Sequence, residues 1–241
     1  MSLMIDIGNT KTKYAYFVGD SIKEKGVCRP EDVSKIVCDY SGKGKNIMLS
    51  SVKPIPDNLL SKQISHGGRL IVLSSELEMP FKTLYKTPKT LGADRLALVA
   101  GAVFVFSNKP VLIIDVGTCI TFDFVDSKTK HLGGSISPGL QMRLYALSNQ
   151  TSALPPVMLS DPQDLIGDST EESILSGVVN GAIKEIDGTI GAYKKRYPDL
   201  TAVITGGDLR FFDKKLKNSI FADEDILLKG MYFIQKQYAN K

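Results

Sequence analysis

A short pattern occurs twice in this chain, and it constrains the fold more than any other feature. Met4-Ile5-Asp6-Ile7-Gly8-Asn9-Thr10 is followed by Ile113-Ile114-Asp115-Val116-Gly117-Thr118, with the two glycines 117 − 8 = 109 residues apart. Each copy is an apolar run ending near an acid, then glycine and threonine, then a second apolar run. That second run is Tyr14-Ala15-Tyr16-Phe17-Val18 in one copy and Thr121-Phe122-Asp123-Phe124-Val125 in the other. Apolar runs of this length with turn residues between them read as β-hairpins. Two such hairpins at the heads of two similar halves imply a duplicated, two-lobed α/β architecture. The second half begins near Asn108, which gives lobes of 1–107 and 108–241.

Strand and helix alternate through the rest of each half. Ile47 to Val52 and Leu70 to Leu73 read as buried strands, with a short helix near Asn58 to Ile64 between them. Asp94 to Phe106 is apolar nearly all round and reads as a buried helix. From Ser173 to Tyr193, Ile174, Leu175, Val178, Val179, Ala182 and Ile186 recur at the spacing of an amphipathic helix. Ala202-Val203-Ile204-Thr205 is a strand running into Gly206-Gly207-Asp208, and Ile226 to Tyr238 reads as a closing helix.

Composition removes several function classes. A chain of 241 residues buries roughly 70 to 75% of its unfolded surface and needs no disulfide or structural metal to support a core. The longest apolar run, Leu96 to Phe106, falls short of the roughly 20 residues that span a bilayer, so no membrane partner is expected. Met1 to Asp6 has no basic stretch and no apolar h-region, so a cytoplasmic location without a secretory signal is expected. Cys28, Cys38 and Cys119 form no C-x-x-C pair, which argues against a disulfide framework or a thiolate zinc site. His66 and His131 are the only histidines and make no H-E-x-x-H. Chemistry in this chain therefore leans on carboxylates, hydroxyls and backbone amides. The clusters Lys194-Lys195-Arg196 and Lys214-Lys215-Leu216-Lys217 sit in a chain of net charge +4 with few interleaved aromatics. They read as solvated faces and not as a nucleic-acid site.

The first turn, Asp6-Ile7-Gly8-Asn9-Thr10 with Lys13 close behind, admits two readings. As a phosphate cradle, glycine lets backbone amides approach an anion, Thr10 and Asn9 donate, Lys13 adds charge, and Asp6 holds a hydrated divalent cation. As plain structure, the same residues are an ordinary hairpin turn followed by a solvated lysine. The second copy at Asp115 to Thr118 favours the cradle, because a phosphate chain gripped from two sides needs two turns facing one cleft. The chain has no Walker A sequence and no G-x-G-x-x-G, which removes P-loop and Rossmann readings.

Five blocks in order carry a family resemblance. They are Asp6-Ile7-Gly8-Asn9-Thr10-Lys11-Thr12-Lys13, Gly92-Ala93-Asp94-Arg95, Asp115 to Asp123, Gly133 to Gly139, and Gly167-Asp168-Ser169-Thr170. Together they resemble the type III pantothenate kinases of the acetate/sugar kinase, Hsp70 and actin superfamily, and Gly206-Gly207-Asp208 resembles that family's nucleotide-side turn. The resemblance implies two ribonuclease H-like lobes with a cleft between them and a homodimer. It also implies transfer of the ATP γ-phosphoryl group to the pantothenate hydroxyl, towards coenzyme A. Mg2+ and a monovalent cation, K+ or NH4+, are implied as electrostatic partners.

By this resemblance Asp94 is the catalytic base, Asp115 the monovalent-cation ligand, and Thr118 an ATP contact beside Asp6, Gly8, Asn9, Thr10 and Lys13. Gly92, Ala93, Asp94 and Arg95 contact pantothenate, joined by Tyr85 and Thr170. Cys119 stands where the family usually has a small alanine-like residue. Each assignment has a plainer counterpart in the residues themselves. Acids such as Asp94 are common in first helical turns, Tyr85 is equally a half-buried aromatic, and Thr118 suits turn capping. Gly133 to Gly139 is either a rim against ligand or a long loop, and Ser169-Thr170-Glu171-Glu172 fits a capping box opening the following helix. Other readings of the whole chain are a small-molecule kinase of the same superfold with another acceptor, and a non-catalytic regulator that kept the nucleotide fold.

Overall fold

The computed structural model describes residues 1–8, 11–41, 46–55, 69–212 and 214–239. In chain order its elements begin with β1 (Ser2–Ile7), β2 (Thr12–Val18), β3 (Ser21–Cys28), α1 (Val33–Ser41), β4 (Asn46–Ser51), β5 (Arg69–Val72) and β6 (Lys82–Thr83). Next come α2 (Ala93–Val105), β7 (Val111–Val116), β8 (Cys119–Val125), β9 (Lys130–Pro138) and α3 (Leu140–Gln150). The chain closes with α4 (Thr170–Arg196), β10 (Thr201–Thr205), β11 (Phe221–Ala222) and α5 (Ile226–Ala239). They form two compact units. One is Met1–Ser107 with Thr129–His131 and Asp225–Lys241; the other is Asn108–Lys128 with Leu132–Glu224.

In the first unit β1 is buried at every position, as expected of an apolar strand with a neighbour on each edge. It pairs antiparallel with β2 and parallel with β4, in a sheet ordered β3-β2-β1-β4-β5. Leu3, Ile5, Ile7, Ile47 and Leu49 meet Val33 and Val37 of α1 in one apolar cluster. Helices α2 and α5 touch almost backbone to backbone. A Cβ on Gly230 would lie 1.8 Å from the Ala97 carbonyl oxygen, and one on Gly101 would lie 2.1 Å from that of Ile226. These two glycines set the depth at which α2 seats, and with it the position of Asp94 at the start of that helix. Phe17 of β2 stacks flat on Tyr232 of α5, with ring centroids 4.4 Å apart.

The second unit repeats the pairing. Strand β7 is antiparallel to β8 and parallel to β10, in the order β11-β10-β7-β8-β9, and the cores of β7, β8 and β10 pack on Val178, Ala182, Ile186 and Ile190 of α4. The shared pattern of one antiparallel and one parallel neighbour extends the duplication from sequence to topology. Residues Lys130 and His131, at the head of β9, belong with the first unit, where they pair with Lys82 and Thr83 of β6.

The expected strands and the helices near 94–106, 173–193 and 226–238 are present, and α4 extends three residues further at each end than its apolar rhythm indicates. Strand β3 and helices α1 and α3 were not anticipated. Gly133 to Pro138, open between rim and loop on sequence grounds, continues strand β9. The short helix expected near Asn58 to Ile64 lies outside the described residues.

Candidate active site

In the first unit the site forms where β1 ends and α2 begins. Gly92 is the N-cap of α2 and Asp94 stands in the first turn, where the helix dipole favours a negative charge. Its Oδ1 accepts the Arg95 backbone N–H at 2.8 Å. Asp6 sits on β1 in register with Lys13 on one side and Ser50 on the other, and is 8% exposed. Asp6 Oδ1, Thr12 Oγ1 and Ser50 Oγ are all buried without a hydrogen-bond partner. Such a group of orphaned oxygens is uncommon in a folded interior.

Burial pushes the Asp6 carboxyl up to about 6, and the nearby charge of Asp94 adds to the rise. The Ser50 hydroxyl and the Lys13 charge oppose it only in part. Ser50 lies near enough to favour the charged form but not in hydrogen-bonding geometry. Oxygen-only donors that are buried and unsatisfied suit a hard divalent cation, so the Asp6 pocket fits Mg2+. Behind Asp6 the chain turns, with Gly8 N–H donating to the Lys11 carbonyl at 3.1 Å. Asn9 and Thr10, expected at this turn, lie outside the described residues.

Tyr85 and Arg95 come together in the same unit. The Arg95 guanidinium carbon lies 5.5 Å from the centroid of the half-buried Tyr85 ring, and Arg95 is buried on α2 beside Asp94. Sequence reasoning placed both residues at one ligand; what it did not register is His131, which packs against Tyr85 from 46 positions further along the chain. No local pattern could have pointed to it.

In the second unit Asp115 lies one residue from the end of β7, half-buried. Gly117 N–H donates to the Cys119 carbonyl at 3.0 Å and Gly139 N–H to the Thr118 carbonyl at 3.1 Å, while Asp208 N–H caps the Val116 carbonyl at 2.9 Å. Thr118 itself is exposed. Gly206 has φ of 111°, and a Cβ there would meet the Val116 oxygen at 2.2 Å and Asp115 Oδ1 at 2.6 Å. Only glycine permits this close approach, and the oxygens it meets, Val116 O and Asp115 Oδ1, are of the kind that suits a hard monovalent cation. Gly139 approaches as closely: a Cβ would lie 2.1 Å from the Gly117 oxygen.

Thr170 is the first residue of α4 and is exposed. Ser169 caps that helix by accepting the Glu172 N–H at 3.2 Å. The reciprocal half of the capping box is diverted, because the Glu172 carboxylate takes the Gln163 N–H at 3.0 Å. Thr170 lines a groove of about 1190 Å3 between α3 and α4, with Met142, Arg143, Leu147, Leu154 and Ile174. Among the described residues there is no group of three or more histidines, cysteines or acids placed to hold a metal ion together, and no helix is long and apolar enough to cross a membrane.

Comparison with known proteins bears on the family and the fold. The sequence profile of the family described as type III pantothenate kinase matches residues 2–192. The type III pantothenate kinase of Christiangramia forsetii is 45% identical over 237 residues, covering 97% of each chain. Among solved structures, a Campylobacter jejuni protein assigned to the Baf family of transcriptional activators superposes with a TM-score of 0.64 at 21% identity, covering 99% of this chain and all of that one. The ROK hexokinase of Thermus thermophilus superposes with a TM-score of 0.51 at 13% identity, covering all of this chain and 99% of that one. At those identities the two structures share the fold, which is that of the sugar kinases. With the motif blocks, the duplicated sheets and a near full-length match in agreement, this chain belongs to the type III pantothenate kinases.

Proposed function

We propose that Asp94 is the general base in the phosphorylation of pantothenate, with Arg95, Tyr85, Gly92, Ala93 and Thr170 binding the acceptor. The supporting observation is the pairing of two carboxylates in different surroundings: Asp94 at a helix start, where charge is favoured, and Asp6 buried beside it. Asp94 takes the proton from the pantothenate hydroxyl as its oxygen bonds to the γ-phosphorus of ATP. The bond from that phosphorus to the β,γ-bridging oxygen breaks, and the electron pair leaves with ADP. The transferring group is loose and charge-dispersed, so most of the catalytic effect comes from positioning and electrostatics.

Gly8, Asn9, Thr10 and Lys13 serve the phosphates with backbone amides, hydroxyl and charge, and Thr118 serves them from the second turn. Mg2+ held at Asp6 and K+ or NH4+ held at Asp115 would neutralise charge on the phosphate chain. The remaining steps belong to the protein: Gly206 lets its backbone lie against Asp115, Arg95 offers a buried cation to the acceptor's carboxylate, and Asp94 moves the proton.

A homodimer in the cytoplasm is part of the same proposal. Tyr145, Met158, Leu165 and Ile166, on α3 and the segment leading into α4, are 61 to 86% exposed. Large apolar side chains left exposed on one stretch of the chain favour a second copy of this chain as their cover. Sedimentation at micromolar concentration is expected to give a dimer.

ADP release measured with pantothenate, acetate or a hexose as acceptor tests the function. Release is expected only with pantothenate. Release with acetate or the hexose would reassign the acceptor, and nucleotide binding without turnover would point to a regulator. Replacing K+ by Na+ at equal ionic strength is expected to lower the rate.

A further inference from the structure

The head of β9 reaches into the first unit and ends in a histidine that the mechanism above does not use. His131 is fully buried, at 0% exposure, and its surroundings are specific. Its ring lies nearly parallel to Tyr85, 13° between planes with centroids 6.2 Å apart, and edge-on to Phe81 at 6.1 Å. Its Nδ1 shares a hydrogen bond of 3.1 Å with Thr83 Oγ1, and the same hydroxyl accepts the Tyr85 backbone N–H at 3.1 Å. The Leu84 N–H donates to the His131 carbonyl at 2.8 Å. Tyr85 is thus held twice, its backbone through Thr83 and its ring against the imidazole. Its ring in turn lies beside the Arg95 guanidinium.

We infer that His131 and Thr83 are positioning residues for pantothenate binding: they fix the Tyr85 ring, which fixes the Arg95 guanidinium. The inference rests on the reading of Tyr85 and Arg95 as acceptor contacts. Its physical basis is the cost of ordering. Tyr85 follows a two-residue strand in a segment that is otherwise largely exposed, and without an anchor its ring would sample several rotamers. A ring that must be ordered on binding weakens affinity, whereas a preorganised one does not. Neither Thr83 nor His131 need touch substrate for this, and neither contributes to the phosphate turns.

Steady-state kinetics of four variants test it, with melting temperature recorded for each. Thr83→Val keeps shape and removes the hydroxyl; His131→Asn keeps a polar atom near Nδ1 and removes the ring. Each is expected to raise KM for pantothenate roughly three- to tenfold, with KM for ATP unchanged, the scale of one lost anchoring hydrogen bond. Thr83→Ser is expected to restore the wild-type KM. Tyr85→Ala is the benchmark and is expected to raise the same KM by at least as much. If Tyr85→Ala raises KM for pantothenate while Thr83→Val and His131→Asn do not, the positioning role is overturned and the acceptor site stands. If Tyr85→Ala itself leaves that KM unchanged, the reading of the acceptor site fails, and the inference with it. A parallel rise in both KM values that tracks a lowered melting temperature would assign Thr83 and His131 to stability alone and overturn the inference.

Discussion

Asp6 and Asp115 hold the same place in two sheets of the same pairing pattern, each just before a glycine turn, yet their register neighbours differ. Asp6 faces Lys13 and Ser50 and is buried with an orphaned oxygen; Asp115 faces Thr121 and Thr205, is half-buried, and is closely approached by the Gly206 backbone. The carboxylate is common to both, and the strands on either side decide its electrostatics. The first surroundings suit a strongly charged ion that repays the burial of Asp6, and the second, less buried, suit a more weakly charged one. A duplicated motif therefore does not imply duplicated chemistry, and each copy can be broken by itself.

The largest effects are expected in the first unit, at the first copy and at the helix start beside it. Asp94→Asn should lower kcat by about 10²- to 10⁴-fold, the range for loss of a general base. Asp6→Asn should also abolish most turnover, while making the fold more stable. The folded-state value of about 6 lies above the ordinary 3.8, so the folded protein holds this proton more tightly than the unfolded chain. The stability that Asp6 contributes is present in full below pH 3.8 and is lost as pH rises through about 6. In metal-free buffer near neutral pH the charged, buried carboxylate costs on the order of 2–3 kcal/mol, which Asn removes. Melting curves should show the variant above wild type by several degrees at neutral pH and level with it in acid. A gap that widens in acid would contradict the burial of Asp6.

Breaking the second copy should do less. Gly206→Ala brings a methyl group against Val116 O and Asp115 Oδ1 in a backbone region that L side chains rarely adopt. It should raise KM for ATP and blunt the difference between K+ and Na+. Equal rates in the two salts for wild type would remove the cation from Asp115. Gly230→Ala should act through packing. The α2 and α5 backbones must part to admit it, at a stability cost of about 1–3 kcal/mol, and because α2 carries Asp94 in its first turn, kcat should fall along with the melting temperature.

What the sequence made legible follows from what is local. β1, β2, α2 and α4 announce themselves through apolar runs and helical rhythm, and Ser169 through its cap. Strand β3 was hidden because Ser21–Cys28 is an outer strand whose side chains are mostly exposed and polar, which leaves no apolar alternation to read. Helix α3 was hidden because only Leu140 and Leu144 are buried along it. The glycines and proline of Gly133 to Gly139 left rim and loop both open and did not suggest a strand, because the close approach of Gly134 to the Phe122 carbonyl belongs to tertiary structure. The motif blocks named the candidate site residues, but neither the raised Asp6 carboxyl nor the packing of His131 on Tyr85 was visible. Both depend on groups brought together from distant positions: Ser50 and Asp94 in one case, Thr83 and Tyr85 in the other.

The most direct test of Asp94 as base pairs two readings on one variant. Asp94→Asn is titrated with pantothenate by calorimetry and then assayed for pantothenate-dependent ADP release. Affinity within a few-fold of wild type together with a kcat reduced by two orders of magnitude or more is the expected result. Near wild-type kcat, or turnover lost only because pantothenate no longer binds, would take the proton-accepting role away from this carboxylate.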